Sequence, residues 1–412
     1  MKKSLAIFGG KPVRTKECPP WPIYNEALGY ELLNTLKNGG FSELTGKKSK
    51  EFGAAFASKM GVKYGIPVSN GTSAIHLALI GLKVDPGDEI LVPAHTFIGS
   101  ASPILMQNAI PVFVDIDEDT YTMDPDDLDK KITDRSKVVI VVHLNGNPAN
   151  MDRIMKIARS HNLKVIEDCA QAHGAVYKDQ YVGSIGDVGT FSFWEDKIMT
   201  TGGEGGMVIT NDEEIMKKIC SAKSHGEMER KEGEERKYVH EFLGYNYRIT
   251  EFQATYGLYE LGKLDEYIEK RRKNADYLTK RLSKLKGVYT PKEIQGGKNV
   301  FYKYIVKVDG EKLGKDVVWI KDALKAEGIK VESRYPLPLH FQPLFQEKNT
   351  YGDSSWPYAC IDKKYEYKRG LCPVAEKIGR KLLTLLVHPT IDEEYLNDVS
   401  TAFYKVWEYI LS

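Results

Sequence analysis

Ser192-Phe193-Trp194-Glu195-Asp196-Lys197-Ile198-Met199-Thr200-Thr201-Gly202-Gly203-Glu204-Gly205-Gly206 sets one lysine between a strand-like run and a glycine-rich turn. Upstream lies Glu167-Asp168-Cys169-Ala170-Gln171-Ala172-His173. A carboxylate at a strand end, followed by a lysine on a loop, is what a pyridoxal phosphate site requires. The amine condenses with the cofactor aldehyde, and the carboxylate keeps the pyridine nitrogen protonated.

Outward from this pair the chain alternates β-rich runs with helical patterns. Strands are expected at 89–92, 112–115, 138–143, 164–168, 190–193 and 207–210. The run Val138-Val139-Ile140-Val141-Val142 is nearly all β-branched, which suits a strand buried on both faces. Helices are expected at 73–82 and 151–161. Such alternation predicts an α/β fold with a mostly parallel sheet. Ligands then sit beyond the carboxyl ends of the strands, where Asp168 falls. From Phe252 the texture changes. One long helix is expected over 252–278, then a strand over 300–308, a helix near 319–327 and a terminal helix over 393–411. This divides the chain into a large α/β domain with an N-terminal arm, residues 1–260, and a small α+β domain, residues 261–412. Two loops stand out: 228–237, densely charged, and 346–369, rich in tyrosine and tryptophan.

Each site residue has an alternative reading. Lys197 alone would pass for a solvated loop lysine, but burial would lower its pKa and make it a nucleophile. Asp168 is either the partner of a protonated ring nitrogen or a helix cap. Gln171 reaches the ring's phenolic oxygen or faces solvent. Ser69-Asn70-Gly71-Thr72-Ser73 opens a helix, a place where phosphate binds free N–H groups, or is simply a capped terminus. Ser192 offers the phosphate a further hydroxyl. Phe97 stacks on the ring or fills a core. Asn246 and Arg248, two apart on an extended segment, point to one side and suit a phosphate or carboxylate. Alternatively, Thr250 caps the next helix and Arg248 forms a salt bridge. His95 and His143 read as structural.

Composition narrows the classes. Among 412 residues the net charge is +1 at pH 7, which offers no global field for nucleic acid or an anionic membrane. The five cysteines are scattered, without a Cys-x-x-Cys, so neither a disulfide framework, a zinc site nor an iron–sulfur cluster is suggested. A reducing cytoplasm fits this usage. The opening apolar run is too short for a signal peptide, and no run reaches the ~18 residues of a membrane span.

Taken in order, these runs resemble the DegT/DnrJ/EryC1/StrS aminotransferases, pyridoxal phosphate enzymes of nucleotide-sugar and cyclitol amination. The markers are Asn70-Gly71-Thr72-Ser73-Ala74, Pro93-Ala94-His95-Thr96-Phe97, residues 167–174, Ser192-Phe193 with Lys197, residues 201–206, Asn246-Tyr247-Arg248, Leu339-His340 and Pro373-Val374-Ala375-Glu376. The resemblance implies a fold-type I transferase with a seven-stranded sheet and a homodimer whose active site is shared between subunits. It makes Lys197 and Asp168 catalytic. It gives Gly71, Thr72, Phe97, Gln171 and Ser192 to the cofactor, Asn246 to the neighbouring subunit's phosphate, and Arg248 and His340 to substrate; no metal is expected. The implied reaction moves an amino group from glutamate or glutamine to a keto-sugar, nucleotide-linked, in surface-polysaccharide or amino-sugar synthesis. The opening Leu5-Ala6-Ile7-Phe8-Gly9-Gly10-Lys11-Pro12-Val13-Arg14 resembles instead members that aminate cyclitols or make aminohydroxybenzoate. Sugar-dehydrating relatives carry histidine where this chain has Lys197. A non-catalytic DNA-reading scaffold would need a basic domain, and none is visible.

Overall fold

The computed structural model describes residues 4–412 except residues 24, 229–234 and 236, so most of the charged loop expected over 228–237 lies outside the described residues. Seven strands form the main sheet: β1 (Tyr64–Val68), β2 (Glu89–Pro93), β3 (Ile110–Val114), β4 (Ser136–Val142), β5 (Lys164–Asp168), β6 (Val188–Ser192) and β7 (Gly206–Thr210), in the order β1-β7-β6-β5-β4-β2-β3. All are parallel except β7, which returns antiparallel between β1 and β6. Alternation along β4 shows why it is fully apolar. Val138, Ile140 and Val142 pack into one layer, Val139 and Val141 into the other.

Helices α1 (Glu26–Asn38), α2 (Lys48–Met60), α3 (Gly71–Gly81) and α4 (Met151–Ser160) precede β5 in the chain. The long helix expected over 252–278 is two, α5 (Glu251–Leu261) and α6 (Leu264–Leu282), broken at Gly262. Thr250 caps α5 in a capping box with Gln253. The strand expected over 300–308 is shorter than its composition suggests. Val300 and Tyr302 donate to the carbonyls of Gly146 and Asn145 instead of to a sheet neighbour, and Phe301 takes φ +49°. Only Tyr304–Val308 joins the second sheet, between Val288–Tyr289 and Leu382–Leu385, with Val331–Glu332 beyond. Helices α7 (Val317–Ala326) and α8 (Glu393–Ile410) cover this sheet.

Packing crosses the expected boundary at residue 260. Leu5 lies in the C-terminal core, and the Glu327 carboxylate accepts from the N–H groups of Ala6 and Val13, while Arg14 binds Asp398 at 2.8 Å. The opening motif is thus a clasp on the C-terminal layer. Conversely, Leu339, Phe345, Tyr358, Tyr365, Tyr367 and Cys372 pack into the main-sheet core.

The aromatic loop is a strap over the β2–β3 edge of its own chain. Tyr367 donates to the Pro111 carbonyl at 2.8 Å, Tyr351 to Leu105 at 3.1 Å, and Trp356 to Asn108 at 2.6 Å. Lys363 and Tyr365 both donate to Glu89 Oε1 at 2.6 Å, and Thr133 to Oε2 at 2.5 Å. Burial works to raise the Glu89 carboxyl, but these donors outweigh it and hold it below the ordinary carboxylate value. That stability is therefore present above the unfolded carboxylate pKa and lost as pH falls through the depressed one. Glu89→Gln is expected to destabilise the fold by about 2–3 kcal/mol near neutral pH, the worth of charge-assisted bonds. Denaturant midpoints measured from pH 7 downward check it, and the gap from wild type should close in acid.

Candidate active site

The carboxyl ends of β2, β5 and β6 open on a cleft of about 880 Å³. Asp168 ends β5 and is 4% exposed. Its Oδ2 accepts from Ser100 Oγ at 2.7 Å and its Oδ1 from the Ala170 N–H at 3.0 Å. The hydroxyls of Ser100 and Thr96 lie 3.1 Å apart behind it. A buried carboxylate held by two neutral donors needs a further positive partner in the cleft.

Lys197 enters the same cleft from the loop after β6. Its backbone is fixed by Trp21, whose indole N–H donates to the Lys197 carbonyl at 3.1 Å. Its amine lies 4.9 Å from the centre of the Tyr302 ring, and no described residue hydrogen-bonds Nζ. Burial, aided by the Arg334 and Lys303 charges and opposed by Asp168 and Asp196, lowers its pKa to about 8. Next door, Asp196 accepts from Lys303 at 2.8 Å and from Tyr302 and Arg334 at 3.2 Å each. Those three donors come from the C-terminal part of the chain and tie it to the lysine loop.

The third element is the N-terminus of α3. Asn70 caps it through the Ser73 N–H at 2.8 Å, while no described acceptor takes the N–H of Gly71 or Thr72. A Cβ on Gly71 would lie 2.7 Å from Ser192 Cβ, so only glycine leaves room beside the Ser192 hydroxyl. Free N–H groups, a helix dipole and nearby hydroxyls of Thr72 and Ser192 suit a phosphate. With Asp168 and Lys197, they form a donor set that fits pyridoxal phosphate: a phosphate cradle, an amine and a buried carboxylate around one space.

The cleft brings together Gly71, Thr72, Phe97, Asp168, Gln171, Ser192 and Lys197. Phe97 is not core; it is 53% exposed on the cleft wall. Gln171 is buried and not solvated, accepting from the Asn145 N–H at 2.9 Å and donating to Tyr335 at 3.1 Å. Asn246 and Arg248 do not line the cleft of their own chain; Tyr247 between them does. Its carbonyl takes the Ser69 N–H at 2.9 Å, which anchors this segment beside α3.

His340, assigned to substrate from the sequence, is not brought to the cleft. Its imidazole is fully buried and pairs with Glu376 at 3.1 Å. Glu376 also accepts from the N–H groups of Gly370 and Cys372, so the pair staples two turns together. Gly202 and Gly203 take φ +82° and +127° to turn the chain, and of residues 201–206 only Glu204 lines the cleft. Ser100, Tyr302, Arg334 and Tyr335 line it unforeseen.

His143, Glu167 and Cys169 form a buried group of metal-ligand type. The Glu167 carboxylate and the His143 imidazole are already committed. Glu167 accepts from His143 and from the N–H groups of Gly183, Ile185 and Gly186, and His143 Nδ1 accepts from Ala149. This is a scaffold for β5.

A model of the DegT/DnrJ/EryC1/StrS aminotransferase family matches residues 25–404. The chain is 34% identical to GDP-perosamine synthase of Escherichia coli O157:H7, over 93% of this chain and 98% of that protein. It is 35% identical to L-glutamine:2-deoxy-scyllo-inosose aminotransferase of Streptomyces paromomycinus, over 98% of each. The crystal structure of ntda from Bacillus subtilis with bound cofactor PMP superposes with a TM-score of 0.81 at 27% identity, over 96% of this chain and 86% of that one.

Proposed function

This chain belongs to the DegT/DnrJ/EryC1/StrS aminotransferase family and is a pyridoxal-phosphate-dependent sugar or cyclitol aminotransferase; from that premise we propose that it moves the amino group of glutamate or glutamine to a nucleotide-linked keto-sugar in amino-sugar or surface-polysaccharide synthesis. The observation that carries the site assignment is the meeting of a half-buried lysine, its pKa near 8, with a buried carboxylate and an open helix N-terminus in one cleft.

In this reading Gly71, Thr72 and Ser192 hold the phosphate. Phe97 covers one face of the ring, and Gln171 stands near its phenolic oxygen. Asp168 meets the ring nitrogen. Bound pyridoxal phosphate supplies the electron-withdrawing ring that makes a substrate C–H acidic. Lys197 Nζ takes and returns the proton at the substrate carbon that bears nitrogen. Asn246 and Arg248 serve the site of a second subunit in a homodimer. That role accounts for their lying near α3 yet outside their own cleft.

The keto-sugar acceptor is preferred over a cyclitol on one ground. The N-terminal motif that resembles the cyclitol enzymes is clasped on Glu327 and Asp398, and none of residues 5–14 lines the cleft, so it makes no contact with an acceptor there. Among the described residues no helix is long and apolar enough to cross a membrane. We place the enzyme in the cytoplasm, with its sugar-nucleotide substrates.

The test is spectroscopic. Purified protein loaded with pyridoxal phosphate should be yellow, bleach with L-glutamate or L-glutamine, and regain colour with a nucleotide-linked keto-sugar. Protein that no amino donor bleaches would defeat the reading, and recolouring by scyllo-inosose alone would move the acceptor to the cyclitols.

A further inference from the structure

The aromatic strap bounds a second cavity, of about 950 Å³, that shares no lining residue with the active cleft. One side is apolar. It comes from the segment 336–341, where Leu337 is 36% exposed and Phe341 is half-buried. The other side is basic. It comes from Lys348, Lys368 and Arg369 near the two ends of the strap, and from Lys377, Arg380 and Lys381. The last three are spaced as neighbours on one helical face, at the end of the short helix Pro373–Ile378.

These cations are in excess. Six of them meet three carboxylates, Glu311, Glu366 and Glu376. Lys368 is paired with Glu366 at 2.6 Å, and Lys381 lies 3.6 Å from Glu311. Glu376 is engaged by His340 and by the N–H groups of Gly370 and Cys372. Among the described residues no carboxylate pairs with Arg369, Lys377 or Arg380. A concave surface that gathers uncompensated charge of one sign concentrates anions, although the chain as a whole is nearly neutral. We propose that this cavity binds a nucleoside diphosphate, with the phosphates on Arg369, Lys377 and Arg380 and the base against Leu337 and Phe341.

Size and chemistry select this class of ligand. Inorganic phosphate would fill a small part of such a cavity, whose volume is that of a site for a whole small molecule. A diphosphate presents enough oxygens to meet two guanidinium forks at once. A flat base needs an apolar face beside the phosphates, and Leu337 and Phe341 provide it. The walls are fixed by hydrogen bonds within the chain. The Leu339 N–H donates to the Ala94 carbonyl at 2.8 Å, and the Gln346 amide bridges the carbonyls of His340 and Tyr367. Binding therefore has to order only the exposed cationic side chains. The site stands on its own geometry and does not rest on the aminotransferase reading.

The experiment uses full-length, cofactor-loaded protein, with GDP, UDP and pyrophosphate as probes. Calorimetric titration should show GDP or UDP binding to wild type. The Kd should rise at least about tenfold in the double variant Arg369→Gln/Arg380→Gln and partly recover in Arg369→Lys/Arg380→Lys. Pyrophosphate should bind wild type about tenfold more weakly than the nucleotide, the worth of stacking one base. Single-turnover bleaching by L-glutamate should be the same in wild type and in the glutamine variant, since neither arginine lines the cleft. Nucleotide affinity that is unchanged in the glutamine variant would place the nucleotide in the active cleft and overturn the proposal. So would a wild type that binds neither GDP nor UDP. Pyrophosphate binding as tight as that of the nucleotides would reduce the cavity to a basic surface and overturn it as well.

Discussion

Lys197→Ala is expected to leave a folded protein with turnover lowered by at least about four orders of magnitude, the upper range for a lost general acid–base group. The fold should survive because the amine makes no hydrogen bond to any described residue and the Trp21 contact is to the Lys197 carbonyl. Chemistry should not survive, because the neutral amine is the reagent. With its pKa near 8, about a fifth of Lys197 is neutral at pH 7.4, against about one in a thousand for an unperturbed lysine. Lys197→Arg should be as inactive, since a guanidinium stays protonated. The loss should appear as missing covalently held colour and as no product in single turnover. A second readout is independent of activity. Between pH 8 and pH 10.5 the unfolded lysine binds more protons than the folded one, so its contribution to apoprotein stability rises with pH. The alanine variant should lack that rise in its thermal midpoints.

Which parts of this site were legible in the sequence follows from where the signals lie. Lys164–Asp168 could be read residue for residue because Val165-Ile166 is a β-branched pair and the acidic end that follows it is conspicuous. β1 could not: Gly65 and Pro67 disguise it. Pro67 is tolerated because β1 is an edge strand, and a Cβ on Gly65 would fall 2.2 Å from the Gly53 carbonyl of α2. The aromatic loop showed its composition but not its target, because the Glu89 and Pro111 acceptors are more than 250 residues away.

The same distinction separates the cleft residues. Gly71, Ser192 and Lys197 sit in local patterns that a turn or a helix cap requires. Ser100, Tyr302, Arg334 and Tyr335 sit in ordinary surroundings, and only tertiary packing carries them to Asp168, Lys197 or Gln171. His340 erred the other way. It is a conspicuous residue in a family-like run, but the run is held by packing, and the histidine serves the Glu376 staple.

Asp168→Asn should separate what the carboxylate does for folding from what it does for the cofactor. In the chain alone Asp168 is 4% exposed, and its hydrogen bonds come from neutral donors, Ser100 and Ala170. An asparagine oxygen can still accept one of these bonds, and the charge no longer has to be desolvated. The apoprotein should therefore melt at the same temperature as wild type or higher. With pyridoxal phosphate the order should reverse. Wild type gains the ion pair with the ring nitrogen and the variant does not, so the increment in Tm on adding cofactor should shrink. Breaking a buried pair costs about 3–5 kcal/mol, so turnover should drop by roughly two to four orders of magnitude. Ser100→Ala, which removes one bond to the carboxylate and leaves its charge, should cost only about tenfold. Paired melting curves with and without cofactor, beside single-turnover rates, would test this. A variant whose cofactor increment and rate both match wild type would place the ring nitrogen away from residue 168.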